Sequence, residues 1–385
     1  MTTSPEPLPT YRLRLPGPTA VPPAVLEAMA RPVLSHRGPE FHDVMAETVE
    51  LARPVFGTRG DILLFAGSGT AAMEASLANV LAPGEPVLIV IHGQFGERFK
   101  MIAEGMGAVV DTVESEWGDA PDPAAIAERL AARAYRAVCV THNESSTGAV
   151  ADLAAIGRIV AAHDALLVVD AVSSAGGMTL RQDDWHLDIV ITASQKALMC
   201  PPGLGIIGVS EKAWTIVNRE GGSRFFWDFR RARAAAEKFE TAFTTPVTLV
   251  AGLRQALRMI HAEGLPRVQA RHRRLAAALR AGSEALGLPL FTRAEALSDT
   301  VSVFRVPEGL EGGTIVRHLY ERHRTIIAGA RNRLAGQVVR IGTMGHVHEG
   351  DVLTDLLHLE ATLRHLGREV APGAGVAAAA ARLAR

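Results

Sequence analysis

A lysine that follows an apolar strand and precedes a rigid turn is placed for chemistry. In this sequence the run Asp188–Ala193 leads through Ser194 and Gln195 to Lys196, and Pro201-Pro202-Gly203 closes the segment. That setting turns the amine inward, where loss of water lowers its pKa and suits it to Schiff-base chemistry. The preceding apolar run, Leu166 to Val169, ends in Asp170 at the carboxyl edge, where open α/β sheets place their ligands. An isolated aspartate there reads as a strand-end cap. Its functional reading is a partner for a protonated pyridine nitrogen, which keeps such a ring an electron sink. The segment from Ala171 to Gly177 is built of small residues and leaves room for a flat ligand. The two side chains are 196 − 170 = 26 positions apart on consecutive strands, so one ligand can touch both.

Gly67-Ser68-Gly69-Thr70 follows the apolar run Ile62–Ala66 and opens a helical stretch. Its glycines let backbone amides face an anion, and the helix N-terminus adds partial positive charge. By itself the loop is as compatible with a plain tight turn as with a phosphate site. Its spacing through Ala72 also fits a loose dinucleotide fingerprint. A nicotinamide dinucleotide site needs an acid at the end of the next strand. Here that strand, Val87–Ile91, runs into His92-Gly93-Gln94 and no acid appears.

The elements that must position these groups alternate. Candidate strands are Ile62–Ala66, Pro86–Ile91, Ala108–Val113, Arg136–Thr141, Ala165–Val172, Asp188–Ala193 and Gly205–Ser210. Helical spacing separates the earlier ones, over Thr70–Leu81, Phe95–Gly105, Pro123–Ala132 and Leu153–His163. Continuous apolar strands mean that both faces of the sheet are covered, so the pattern predicts a mostly parallel seven-stranded sheet with helices on both sides. From Gly221 to Glu240 the chain reads as charged, aromatic and irregular. Helical stretches over Thr248–Ala262 and Pro266–Leu286 follow, then strand-like Thr300–Val306 and Val338–Ile341, and a helix from about Gly350 to Leu366. The Ala-rich tail Ala371–Arg385 lacks an apolar stripe and reads as frayed. The division expected is an N-terminal arm over 1–15, a large α/β domain over 16–262 and a small α+β domain over 263–385.

The 385 residues carry a formal net charge of −1, which provides no broad basic face for nucleic acid. The Arg-rich stretches at Arg230-Arg231 and Arg271–Arg274 read as solvated helix faces. Cys139 and Cys200 have no neighbours at metal-ligand spacing, so no metal site is expected and the setting reads as a reduced cytoplasm. No apolar run approaches the ~20 residues of a membrane span, and the Pro-rich Met1–Pro9 has no signal core.

In order and spacing, Gly67–Thr70, His142–Gly148 (HNESSTG), Asp170–Ser174, Ser194–Leu198 (SQKAL) with Pro201-Pro202-Gly203, and Arg340–Gly345 together resemble the class V aminotransferases. These belong to the fold-type I pyridoxal-phosphate superfamily. Within the class, the chain is similar to the alanine–glyoxylate and serine–glyoxylate aminotransferase family, from Leu15-Pro16-Gly17-Pro18 through Arg340-Ile341-Gly342. The resemblance implies pyridoxal 5′-phosphate held as a Schiff base by Lys196, which also shuttles a proton. It implies Asp170 on the ring nitrogen, Val172 under the ring and Phe95 stacked over it, where some members have tryptophan. Ser68, Gly69, Thr70 and Gln195 would cradle the phosphate, Ser145 would lie near the cofactor oxygen and the substrate, and Arg340 would take the substrate carboxylate, with Gly17 close by. Thr244 matches a residue donated across a homodimer interface to the partner's phosphate. Some members have glycine at the place of Asn143 and tyrosine at that of Thr241. His142, His36 and His346 read as packing or surface residues.

The activity implied is transfer of an amino group from alanine or serine to glyoxylate or pyruvate, without nucleic acid or membrane as partner. The alternatives are 2-aminoethylphosphonate–pyruvate transamination, which needs additional cations, and a non-catalytic relative serving as a complex subunit. A cysteine desulfurase would need a cysteine in the small domain, and there is none after Cys200.

Overall fold

In the computed structural model, residues 10–218 and 224–384 are described. The Pro-rich start and part of the 221–240 segment therefore lie outside the described residues.

Seven strands form the main sheet, in the spatial order Asp61–Gly67, Gly203–Val209, Ile189–Ala193, Leu166–Asp170, Ala137–Thr141, Pro86–Ile91 and Val109–Glu114. Six run in one direction, and Gly203–Val209 opposes both of its neighbours. The two faces sort by alternation along each strand. Leu88, Val90, Val138, Val140, Leu167 and Val169 pack into one layer, with helices Pro39–Phe56 and Val247–Glu263. Val87, Ile89, Ile91, Ala137, Cys139, Leu166 and Val168 pack into the other, with Gly69–Val80 and Gln94–Gly105. Burial on both faces is why these strands lack a polar alternation. Val109–Glu114 departs from this, because it is the sheet edge and Val109 is exposed.

Local chemistry sets the helix starts. Ser68, Asp122, Asp152 and Ser210 each accept a hydrogen bond from a backbone amide of the helix that follows. The carboxyl ends of the six co-directional strands lie along one edge. That edge carries Gly67–Thr70, His92–Phe95, His142–Ser145, Asp170 and the segment leading to Lys196.

A smaller three-stranded antiparallel sheet, ordered Val301–Arg305, Val338–Gly342, Ala328–Gly329, is backed by helices Leu265–Ala285, Gly312–His323, Glu349–His365 and Ala374–Leu383. The N-terminal arm joins it: Arg12–Leu13 pairs in parallel with Thr325–Ile326, and buried Arg14 forms an ion pair with buried Asp355.

Three expectations need correction, and two helices went unread. The tail is ordered: Ala374–Leu383 is a helix, Ala379 is fully buried, and Gly375 packs so closely on Leu286 that a Cβ would meet it at 2.8 Å. Alanine is the best helix former, and small side chains let the helix dock without a wide apolar stripe. The irregular segment holds a helix, Phe229–Ala236, capped by Asp228 and fixed where Asn79 Oδ1 accepts from the Phe229 amide at 3.0 Å. Arg271 is not a solvated residue, since it pairs with Glu263 and donates to the carbonyls of Gly345 and Val347, while His272 beside it is buried. Helices Pro23–Met29 and Pro39–Phe56, in a region for which no element was read from the sequence, precede the first strand of the main sheet.

Candidate active site

Lys196 sits on a loop held from three sides. Ser194 donates its hydroxyl to Pro201 O at 2.6 Å, the Met199 amide closes on Lys196 O at 3.0 Å, and Thr19 binds Lys196 O at 2.9 Å and, through its amide, Gln195 O at 3.0 Å. The side chain runs inward and Nζ donates to Pro16 O at 2.6 Å. Gly17 makes this approach possible: its φ is +126°, and a Cβ there would lie 2.6 Å from Nζ. Burial, opposed by Asp170 and aided by the Arg340 and Arg98 cations, brings the Lys196 pKa down to about 8.

Asp170 ends the neighbouring strand. Its Oδ1 accepts from the Val172 amide at 2.8 Å, and Oδ2 accepts from no described residue. Burial pushes its carboxyl up to about 6, the Glu144 carboxylate adds to the rise, and Lys196 and Arg98 counter it. Val172 presses on the glycine loop, so that a Cβ on Gly69 would fall 2.9 Å from its Cγ2. The loop and the Asp170 strand are thereby brought together.

The loop opens the 12-residue helix Gly69–Val80, whose first amides point outward without intrahelical acceptors. Thr70 Oγ1 accepts from Arg98 at 2.9 Å, and the Arg98 guanidinium lies 4.5 Å from the centre of the Phe95 ring. Gln195 Oε1 is buried with no described partner. Amides, hydroxyls, a guanidinium and the side-chain NH2 of Gln195 together fit a phosphate, whereas the orphaned Gln195 Oε1 is an acceptor and offers an anion nothing.

A pocket of about 450 Å³ opens beside these groups and is lined by Gly17, Phe95, Ser145, Lys196 and Arg340 from the sequence reading, and also by Gln94, Arg98 and Arg331. Arg340 forms no ion pair with a described acid. Its Nε and Nη2 donate to Gly329 O at 3.0 and 2.8 Å, and Nη1 donates to Ser145 O at 2.9 Å. Carbonyls thus hold the fork, and buried Glu144 stabilises its charge from a distance without an ion pair, so the fork can still take a carboxylate. The short strand Ala328–Gly329, which supplies the main acceptor, is another element the sequence reading missed.

Glu144 is also missed, although it lies inside the quoted HNESSTG motif. It is fully buried and accepts from the amides of Phe95, Gly96 and Ser146 at 2.8, 3.3 and 3.1 Å, and from the Ser146 hydroxyl at 2.6 Å. It pins the start of the Phe95 helix through the helix dipole and its first amides. Burial raises its pKa and those hydrogen bonds oppose the rise. Arg98 had a signal in sequence: it is three residues from Phe95 on a helix beginning at the ligand edge, hence on the same face. Arg331 had none.

Other candidates lie further out. Thr244 does not line this pocket; it borders a separate cavity with Ala66, Phe226 and Glu240. Asn143 is buried and donates to Ser173 and Thr300, so it supports the fold beneath the site. Thr241 bonds locally to Phe243 O at 2.7 Å. His142 bonds Ser174, packs edge-on to Trp185 and is held neutral by burial, with a pKa of about 4.

A buried amine, an aromatic ring and arginines therefore line one pocket, with the buried Asp170 carboxylate close enough to feel Lys196 and Arg98, and with Thr70 of the glycine loop bonded to Arg98. Such a set suits a flat, phosphate-bearing aldehyde with a protonatable ring nitrogen. The comparisons with known proteins agree. The model of the family described as Aminotransferase class-V matches residues 13–344. Curated relatives include the L-aspartate–glyoxylate aminotransferase of Paracoccus denitrificans, 38% identical over 95% of this chain and 94% of that one. The serine–glyoxylate aminotransferase of Methylorubrum extorquens is 37% identical, over 96% and 95% of the two chains. A protein of a Synechococcus strain named soluble hydrogenase, small subunit, is 39% identical over 95% and 97%. The crystal structure of ureidoglycine–glyoxylate aminotransferase from Bacillus subtilis superposes with a TM-score of 0.94 at 32% identity, covering 99% of this chain and all of that one.

Proposed function

Because this chain belongs to the class V aminotransferases, enzymes that use pyridoxal 5′-phosphate, we propose that it moves the amino group of a small α-amino acid to glyoxylate, with Lys196 as its catalytic residue. The observation that carries this reading is the inward amine of Lys196 sharing one pocket with Arg340, whose fork backbone carbonyls hold in place, beside buried Asp170. Alanine, serine and aspartate are all candidate donors on the strength of the relatives, and pyruvate is a second acceptor to test. The name of the Synechococcus relative prompts a complex-subunit reading, but a non-catalytic role gives no reason to retain this set of groups. Among the described residues no helix is long and apolar enough to cross a membrane. Two buried free thiols suit a reducing cytoplasm.

In the proposed mechanism the glycine loop, Gln195 and Arg98 would hold the phosphate of pyridoxal phosphate, and Val172 and Phe95 would contact its ring. Bound pyridoxal phosphate supplies an electron sink for the pair released when the substrate Cα–H bond breaks. Asp170 keeps the proton on the ring nitrogen. Lys196 Nζ carries the proton taken from Cα and redelivers it. Arg340 fixes the carboxylate so that the Cα–H bond can stand perpendicular to the ring. The test is a donor screen against glyoxylate with the cofactor-loaded protein: glycine should accumulate with at least one small donor, and failure with every donor overturns the reading.

Arg340 gives a sharper expectation. Its planar fork makes two parallel bonds that an ammonium cannot. Arg340→Lys should lower kcat/KM by about one to two orders of magnitude, the scale of a lost charge-assisted contact. Cofactor content, followed by absorbance, should be unchanged. Normal turnover, or a defect confined to cofactor loading, contradicts the assignment.

We further propose a homodimer in which Thr244 of each chain serves the partner's phosphate. The segment 241–248 runs between two surface cavities, one bordered by Phe226 and the other by Pro32 and Leu34, and Val33, Phe225 and Phe239 nearby in sequence are exposed. Exposed apolar patches of this kind mark interfaces. Sedimentation should give a dimer, and a fully active monomer excludes it.

A further inference from the structure

The pocket beside Lys196 is lined by four cationic side chains, Arg98, Lys196, Arg331 and Arg340, and by no acid. Three of them have assigned work: Arg98 on Thr70 and the phosphate cradle, Lys196 as the reactive amine, and Arg340 on the α-carboxylate. Arg331 has none. Its side chain is exposed and makes no hydrogen bond or ion pair with a described residue. It is only two residues beyond Gly329, whose carbonyl holds Arg340, and its charge helps to depress the Arg340 pKa, second to burial as a lowering cause. Two guanidiniums facing one pocket repel each other, a cost that is relieved when a doubly anionic ligand bridges them.

A donor with one carboxylate satisfies Arg340 and leaves Arg331 unpaired. A donor with a second carboxylate two or three carbons away satisfies both. We propose that Arg331 is a specificity residue that binds the distal carboxylate of an aminodicarboxylic donor of the aspartate class, while Arg340 binds its α-carboxylate. This rests on the aminotransferase reading above. The relatives' names alone do not choose, since the serine- and aspartate-named enzymes differ by one point of identity, 37% against 38%. An unpaired cation in the pocket wall does choose, because a site built for a charged group discriminates strongly against ligands that lack it.

The test uses full-length, cofactor-loaded protein and its Arg331→Ala and Arg331→Lys variants, with glyoxylate as acceptor. Because Arg331 is exposed and unpartnered, neither substitution disturbs the core. The native enzyme should prefer aspartate or glutamate to alanine and serine by kcat/KM. Arg331→Ala should lower the aspartate-to-alanine selectivity ratio by about 10- to 50-fold, as expected for one charge-assisted contact, and Arg331→Lys should restore most of it. Calorimetry supplies a readout independent of turnover: succinate should bind the native protein more tightly than propionate, and Arg331→Ala should erase that difference. A native preference for alanine or serine overturns the proposal. So does an equal loss for every donor, which would mark Arg331 as a general attractor of anions. If no donor transaminates at all, the aminotransferase reading fails, and the succinate comparison still decides whether a dicarboxylate site exists.

Discussion

Lys196→Ala is expected to reduce transamination by about three orders of magnitude or more, the range seen when a covalent catalytic group is lost. The expectation follows from how little else in the pocket could replace the amine. The other lining cations are guanidiniums, which do not give up a proton near neutral pH. His142 is committed to Ser174 and has a pKa of about 4. Lys196 alone combines an inward path, an amine that burial brings to about 8, and a glycine neighbour that makes room for it. The cofactor should still bind to the variant, because the glycine loop, Gln195, Arg98 and Asp170 are untouched. Turnover and cofactor content measured on one preparation separate the two effects. A variant that keeps a tenth of native turnover refutes the catalytic assignment.

Asp170→Asn should act in opposite directions on activity and on the stability of the cofactor-free protein. Turnover should fall by about two to three orders of magnitude, comparable to losing a preorganised charge in other active sites. The cofactor-free protein, by contrast, should be stabilised at pH 7. The Asp170 carboxyl titrates near 6, well above its ordinary 3.8, because burial penalises the anion. A raised carboxyl pKa means that the folded chain holds a proton the unfolded chain has released. The contribution of Asp170 to stability is therefore fully present below pH 3.8 and is lost as pH rises through 6. At neutral pH the buried charge costs up to about 3 kcal/mol, which asparagine avoids while still accepting from the Val172 amide. Thermal melts of the cofactor-free native and variant proteins from pH 4 to pH 8 should diverge as pH rises, with the variant higher at pH 7. Curves that stay parallel, or a native protein that is the more stable at pH 7, contradict the burial argument. A charge held at a cost until a ligand arrives is the usual price of a preorganised site.

How much of this was legible in sequence depended on whether burial left a pattern. Asp170 and Lys196 stood out because their strands are covered on both faces and read as unbroken apolar runs, so the polar residues at the ends are conspicuous. Arg340 was legible for the same reason, in the strand Val338–Gly342. Glu144 was not. It sits among small polar residues, and the amides that neutralise its burial come from Phe95 and Gly96, 49 and 48 positions away. Arg331 lies where no periodicity exists, and only the fold brings it to the wall of the Lys196 pocket. The C-terminal helix Ala374–Leu383 was misread because docking through small residues needs a glycine opposite, and Gly282 provides one, where a Cβ would come within 2.7 Å of Gly375 O. Close approach of that kind leaves no hydrophobic period to read.

The central claim is that one amine carries the cofactor, and the chain's four lysines, Lys100, Lys196, Lys212 and Lys238, allow it to be tested directly. Lys212 is occupied, donating to the carbonyls of His163 and Ala165 at 3.2 and 2.6 Å, and Lys100 pairs with Glu104 at 3.7 Å across one helical turn. Lys238 is exposed. The measurement is borohydride reduction of the pyridoxal-phosphate-loaded protein, followed by proteolysis and mass spectrometry of the lysine peptides. A single pyridoxyl adduct on the Lys196 peptide is the result expected, whereas an adduct on Lys212, Lys100 or Lys238 with Lys196 unmodified would contradict the account.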